Sequence, residues 1–369
     1  MFRPAWLEIN LDNLSDNFKK IKKIVSPSVK VLVCVKKDAY GHGMIPVAKR
    51  LVKEGVDYLG VADIDEAIKL RKEKINKPIL VMGAVLPKDV EPFFKYDLVA
   101  SISNWDLAYA LEKKAKYFNK KIKVHIKVDT GMGRLGVLYT EAYNFIKRLT
   151  QLKFLELEGV FSHFPLAETD PKFTLKQIER LKELKQKLFN SKINIPLYHC
   201  ANSAGTLLYK ESHLDMVRPG LVIYGMYPKD IPNIKFKPVM SLKARIVLVK
   251  RLPKNFGISY GHTYYTKKDT NIAVIPVGYG DGYFRKFSNK AFVLIRGRRF
   301  RIAGRICMDQ FMVDVGNLNL KIGEEVVLLG RQKKEIILAE ELASLSKTIP
   351  YEITTSLGMH LPRIYLSKI

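Results

Sequence analysis

Residues 58–82 read YLGVADIDEAIKLRKEKINKPILVM, and the change of texture within them decides the fold. Tyr58 to Ala62 and Ile79 to Met82 are short apolar runs of strand length. Between them, Ile64 to Glu73 repeats its apolar residues at helical spacing behind Asp63, a residue suited to capping a helix start. A strand, a crossover long enough for a helix and another strand make a parallel pair, because tight turns cannot join parallel neighbours. Working outward, the same alternation gives strands at Lys30 to Val35, Leu98 to Ile102, Lys123 to Val128, Leu157 to Phe161, Leu197 to His199 and Met216 to Tyr224. Helices fall at Asn104 to Tyr117, Thr140 to Leu149 and Thr174 to Phe189, with a weaker one at Ser203 to Tyr209. Eight strands favour closure into an α/β parallel (β/α)8 TIM-like barrel over an open doubly wound sheet.

After about residue 235 the pattern changes. Pro228, Pro232 and Pro238 mark a linker, followed by strand-like segments at Leu242 to Lys250, Asn271 to Val277, Ala291 to Ile295, Arg301 to Ile306, Phe311 to Val315 and Glu325 to Leu329. Only Ala339 to Ser346 reads as a helix there. The expected organisation is a barrel over residues 1–235 and a mainly β domain over residues 236–369, with Met1 to Asn10 packing on the second.

The chain has 369 residues, 47% hydrophobic and 10% aromatic, enough for a large core and unlike a disordered polyelectrolyte. Its net charge of +27 invites a nucleic-acid reading. The basic residues, however, are scattered over helix faces such as Phe18 to Lys23 and Leu175 to Lys187. No zinc-finger spacing, RNP-type strand or basic tail accompanies them, so a solvated lysine-rich surface is expected, with no nucleic-acid partner. Cys34, Cys200 and Cys307 lie far apart without CxxC pairing, which points to the reducing cytoplasm. Arg3 and Glu8 interrupt the apolar start, and no uncharged apolar run reaches the roughly 18 residues of a membrane span. No metal set is expected.

In such a barrel the reactive groups belong at the C-terminal strand ends. Lys36 and Tyr40 follow the first strand in VKKDAYGHG, Arg134 lies in VDTGMGRLG after the fifth, and His163 ends the sixth. Asn202 and Ser203 follow the seventh in HCANS, and Arg218 and Gly220 the eighth in VRPG. Each alone has a plainer reading: a surface lysine, a core histidine, a serine that simply caps a helix. Together on one rim they suit an anionic aromatic aldehyde. A shielded lysine near cations has a lowered pKa and forms an imine. Ser203 with the backbone N–H groups of Gly220 and Leu221 makes a phosphate cradle. Arg218 faces a ring nitrogen and His163 the ring. Pyridoxal 5′-phosphate meets these demands.

The motifs also resemble those of the alanine racemases. VKKDAYGHG is similar to that family's lysine motif, usually VKANAYGHG. VHIKVDTGMGRLGV, HCANS, DMVRPGLVIYG, SYGHTY, GYGDGY and GRICMDQ match in the family's order, and the resemblance runs from Trp6 to Arg363. It implies a head-to-tail homodimer in which each active site is completed by the other subunit. Lys36 would hold the cofactor and Lys37 would be a bystander. Arg218 would pair with the pyridine nitrogen, Arg134 with the phenolic oxygen and the substrate, and Tyr40, Ser203, Gly220 and Leu221 with the phosphate; His163 and Asn202 complete the cofactor set. From the other subunit would come Tyr264 as the second base, the Met308 N–H for the substrate carboxylate, and Tyr283 at the entrance. Lys127 would be carbamylated, since a bare ammonium beside Arg134 would be repelled whereas a carbamate would fix it. Met359 replaces a tyrosine that reaches the phosphate in some members, and Tyr265 adjoins Tyr264.

The implied reaction is interconversion of L-alanine and D-alanine, supplying D-alanine for peptidoglycan. Lys36 would serve the D-alanine face and Tyr264 the L-alanine face. A guanidinium keeps its proton, so Arg218 would leave the ring a weak electron sink and suppress transamination. The alternatives are a broader amino-acid racemase, a barrel decarboxylase, which usually offers an acid to the pyridine nitrogen, and a non-catalytic cofactor-binding barrel, which lacks a β domain.

Overall fold

In a computed structural model, which describes residues 2–227 and 234–367, eight parallel strands stand side by side in chain order. They are Lys30–Cys34, Tyr58–Val61, Ile79–Val81, Val99–Ile102, Ile122–Asp129, Leu155–Phe161, Leu197–His199 and Met216–Val217. The last pairs with the first, Met216 opposite Lys30. Between the seventh and eighth there is no ladder; the Asp215 N–H to Tyr198 O bond of 3.0 Å and the Arg218 N–H to Ala201 O bond of 2.8 Å bridge the gap. The barrel is therefore nearly closed.

One strand expectation needs correcting: the segment from Met216 to Tyr224 is extended only to Val217. Pro219 has no N–H to give a ladder, and Leu221–Tyr224 winds into a short 3₁₀ turn. That early end keeps Arg218 and Gly220 at the rim. The crossover helices start where local chemistry allows. Asp63 accepts the Glu66 N–H at 3.0 Å to open Ile64–Lys72, and Asn104 accepts the Leu107 N–H at 2.9 Å to open Trp105–Phe118. Helices Leu11–Ile24, Met44–Lys53 and Glu91–Lys95 add to those the periodicity predicts.

The second sheet runs, in spatial order, Leu248–Leu252, Thr270–Ile275, Phe311–Gly316, Arg298–Ala303, Phe292–Ile295, Glu325–Gln332, Met240–Arg245, Ala5–Asn10 and Arg363–Leu366. Ala5–Asn10 is thus an inner strand of this sheet, antiparallel to Met240–Arg245 and parallel to Arg363–Leu366. The single strand expected over Leu242 to Lys250 is two. At Ile246 and Val247 the backbone passes from a bond with Glu324 to one with Val274, so it changes neighbours midway. Pro228 and Pro232 of the expected linker lie outside the described residues. Near the C-terminus an unforeseen helix, Pro350–Leu357, begins with proline in its first turn and packs on the turn after the first barrel strand. Among the described residues no helix is long and apolar enough to cross a membrane.

Candidate active site

Past Val35 the backbone takes an unusual course. Lys37, Asp38, Ala39 and Tyr40 all have φ between 50 and 55°, a left-handed turn made without glycine. Each such L-residue costs about 1–2 kcal/mol, so the turn must be held from outside. Asp38 accepts the Met44 N–H at 2.6 Å, Glu66 accepts the Lys37 N–H at 2.5 Å, and Arg363 from the second sheet donates to Gly41 O at 3.1 Å. Strain of this kind gathers where geometry serves a site. Here it sets Lys36 in a cavity wall and brings Tyr40 back against Gly220.

The cavity, of about 700 Å³, opens at the C-terminal strand ends. Lys36, Tyr40, Arg134, His163 and Arg218 line it, together with Asn202, Ser203, Gly220, Leu221 and Lys127. Arg218 is the fixed point. It donates to Ser162 O at 2.6 Å, to Cys200 O at 3.3 Å, to His163 Nδ1 at 3.4 Å and to His199 Nδ1 at 2.8 Å. Burial, followed by the charges of Arg218 and Lys127, pushes the His163 pKa well below the usual imidazole range, so this ring is a neutral acceptor.

At the other end Ser203 Oγ accepts the Gly220 N–H at 3.0 Å. A Cβ on Gly220 would stand 2.8 Å from Tyr40 Oη, so only glycine lets the phenol close over this cradle. The helix cap is Asn202, not Ser203: its side chain accepts the Gly205 N–H at 2.8 Å and leaves the serine hydroxyl turned to Gly220. On the far wall Asp129 binds the N–H groups of Gly131, Met132 and Gly133, each at 2.8 Å, and fixes the loop that carries Arg134. Lys127 Nζ lies 4.2 Å from the Phe161 ring centroid. Burial first, then Arg218 and Arg134, hold its pKa well below that of an ordinary lysine.

Three expected residues do not reach the cavity. Tyr264 lies in the second domain, where its hydroxyl donates to Asp314 Oδ2 at 2.6 Å. Burial and then this carboxylate raise its pKa. Its neighbour Tyr265 faces the opposite way, exposed, as alternation along Tyr264–Tyr265 requires. Met308 is 55% exposed on the same domain. Tyr283, on the same domain, is 0% exposed within its own chain, stacked on Phe311 at 5.5 Å and tilted against Phe287 at 4.9 Å. The sequence reading also missed Tyr351. This residue of the unforeseen helix lines the cavity with its ring 5.5 Å from that of Tyr40. Met359 is 70% exposed and does not line it.

A lysine amine, a buried guanidinium and a hydroxyl cradle that a Cβ would fill fit pyridoxal 5′-phosphate: the amine suits its aldehyde, the cradle its phosphate, the guanidinium its ring nitrogen. Fold and site together define a cofactor-binding barrel enzyme with a β-rich second domain. Comparison with known proteins narrows the class. The alanine racemase N-terminal domain profile matches residues 9–228 and the alanine racemase C-terminal domain profile residues 239–365. An alanine racemase of Halothermothrix orenii is 45% identical, over 100% of this chain and 98% of its own length. Among solved structures, an alanine racemase of Clostridium difficile 630 superposes with a TM-score of 0.94 at 37% identity, covering 99% of this chain and 96% of that one. One from Bacillus anthracis, solved with bound L-Ala-P, gives 0.91 at 35% identity, covering 100% and 96%. The chain belongs to the alanine racemase family, isomerases that depend on pyridoxal 5′-phosphate.

Proposed function

We propose that the chain interconverts L-alanine and D-alanine by a proton exchange between two bases, Lys36 on the D-alanine face and Tyr264 from a second copy on the L-alanine face. The cofactor, when bound, delocalises the electron pair left at Cα as the α-proton departs. Everything else falls to side chains. Lys36 would hold the cofactor's aldehyde in the resting state, and its Nζ, once free, would accept or return the proton on its own face. Ser203, Tyr40, Gly220 and Leu221 hold the phosphate, Asn202 fixes the cradle as its helix cap, and Arg218 holds the ring nitrogen. Arg134, with the Met308 N–H of the second copy, receives the substrate carboxylate.

Tyr264 needs the second copy for a physical reason. Bonded to Asp314, its phenol is harder to deprotonate than free tyrosine; beside neutral His163, itself bonded to the Arg218 guanidinium, it becomes easier to deprotonate. Homodimerisation is thus part of the proposal, as are a division into residues 1–235 and 236–369, a cytoplasmic setting and the supply of D-alanine for peptidoglycan. Lys127 is proposed to be carbamylated: the neutral amine attacks carbon dioxide, forming an N–C bond as a C=O π bond opens and a proton leaves to solvent, and the resulting anion stabilises Arg134.

The observation that carries this reading is that Lys36, Arg218 and the Ser203 cradle share one cavity while Tyr264 lies outside it on the other domain. Borohydride reduction of the holoenzyme should fix the cofactor to Lys36. Alanine in D2O should acquire deuterium at Cα, and Tyr264→Phe should abolish interconversion while retaining the cofactor's absorbance. A label on another lysine, or none, would sink the proposal.

A further inference from the structure

Below the cavity a continuous polar chain runs through the barrel interior. Arg218 Nη1 lies 2.8 Å from His199 Nδ1, and His199 Nε2 lies 2.8 Å from His125 Nδ1. His125 Nε2 is 3.2 Å from Glu158 Oε2, and Glu158 Oε1 is 2.9 Å from Lys123 Nζ, whose side chain is half exposed at the opposite barrel mouth. Both histidines are fully buried.

The two ends fix the direction of every proton between them. A guanidinium only donates and an ionised carboxylate only accepts. Each neutral imidazole has one donor and one acceptor, so His199 and His125 must both carry hydrogen on Nε2 and leave Nδ1 bare. Burial holds both histidines below the usual imidazole range. Burial alone would raise the Glu158 carboxyl, but the hydrogen bonds from His125 and Lys123 outweigh it and leave the pKa at about 2. Tyr58 faces the same carboxylate. The surrounding fold makes room for this chain. A Cβ at residue 159 would stand 2.6 Å from His125 Nδ1, so glycine is required there, and the His199 ring stacks on Phe161 at 5.0 Å with an interplanar angle of 4°.

Two imidazoles and a carboxylate are an expensive filling for a barrel in which inward positions such as Leu32, Leu80 and Val99 are apolar. Arg218, meanwhile, has no directly paired carboxylate among the described residues. We propose that Glu158 is a positioning residue for Arg218, acting through His125 and His199 to polarise the guanidinium and hold it fixed at the ring nitrogen, and so to keep the reaction a racemisation. This rests on the reading that Arg218 faces that nitrogen. With the polarity lost, the proton from Cα is more often returned to the cofactor's carbon. In that side reaction alanine and pyridoxal phosphate exchange amino and oxo groups, with no net water, to give pyruvate and pyridoxamine phosphate.

Glu158→Gln keeps the shape and removes the charge. In the holoenzyme it should raise pyruvate formed per racemisation turnover by about tenfold, the effect of roughly 1.4 kcal/mol between two barriers. Lys123→Met, which removes the outer donor but keeps the Glu158–His125–His199–Arg218 links, should not change that ratio. Independently, ¹⁵N spectra of histidine-labelled holoenzyme should show His125 and His199 as neutral Nε2–H tautomers, with His125 altered in Glu158→Gln. An Nδ1–H tautomer in the unmodified protein, or an unchanged pyruvate ratio in a folded Glu158→Gln, would overturn the inference. If Glu158→Gln does not fold, the tautomers of the unmodified protein decide. Should the protein fail to racemise alanine at all, the functional reading falls, while the tautomers still judge the chain.

Discussion

Gly159→Ala is the sharpest test of packing inside the barrel. Gly159 does not have a positive φ, so the backbone tolerates alanine and a cost must come from the added methyl. That methyl would sit 2.6 Å from His125 Nδ1 and 2.7 Å from Cε1. Ordinary van der Waals contact begins near 3.4 Å, so the imidazole must withdraw by about 0.8 Å. Its Nδ1 is the atom that accepts from His199 at 2.8 Å, and such a retreat stretches that bond to about 3.6 Å, beyond hydrogen-bonding range. Leaving the buried groups unsatisfied costs about 1–3 kcal/mol, and overpacking adds about 1–3 kcal/mol. A loss of about 2–6 kcal/mol is expected in urea unfolding followed by tryptophan fluorescence. In a His125→Ala background the same methyl enters vacated space and should cost little, giving a large coupling energy. Stability within about 0.5 kcal/mol of the unmodified protein, or an equal penalty in both backgrounds, would refute the reasoning.

Other expectations follow from the same geometry. Active enzyme exposed to ¹³C-labelled carbon dioxide should show one carbamate carbon per chain, absent in Lys127→Met; full activity without that signal would remove the modification. His42, held at about 4 by burial, and the depressed His125, His163 and His199 stay neutral in the folded chain while unfolded histidine protonates near 6.5. The unfolded state therefore binds more protons below pH 6.5, and stability should fall with acid by about 1.4 kcal/mol per pH unit for each histidine. A urea midpoint equal at pH 5 and 7.5 would contradict this. Because Tyr264 lies outside its own chain's cavity, specific activity should decline on dilution in step with loss of dimer seen by light scattering.

What could be read beforehand was set by local sequence. Lys36, His163, Ser203 and Arg218 each follow directly on a strand, and a closed parallel barrel gathers all strand ends on one rim, so strand assignment alone brought them together. His125 and Glu158 were invisible for the converse reason. In a single strand an alternating polar residue looks solvent-facing, and only the closure of the sheet, with Gly159 opposite His125, decides that it points inward. Tyr351 depended on a contact no local pattern encodes, the docking of Pro350–Leu357 on the rim, where Gly41 and Gly358 pack backbone to backbone. The burial of Tyr283 was hidden too, because a motif position says which residue is present but not how many phenylalanines surround it. Long-range burial, not residue type, separated the legible from the hidden. The same distinction divides the site itself: strand ends supply groups in fixed positions, whereas Tyr264, bound to Asp314 within its own chain, must give up that hydrogen bond before it can serve another.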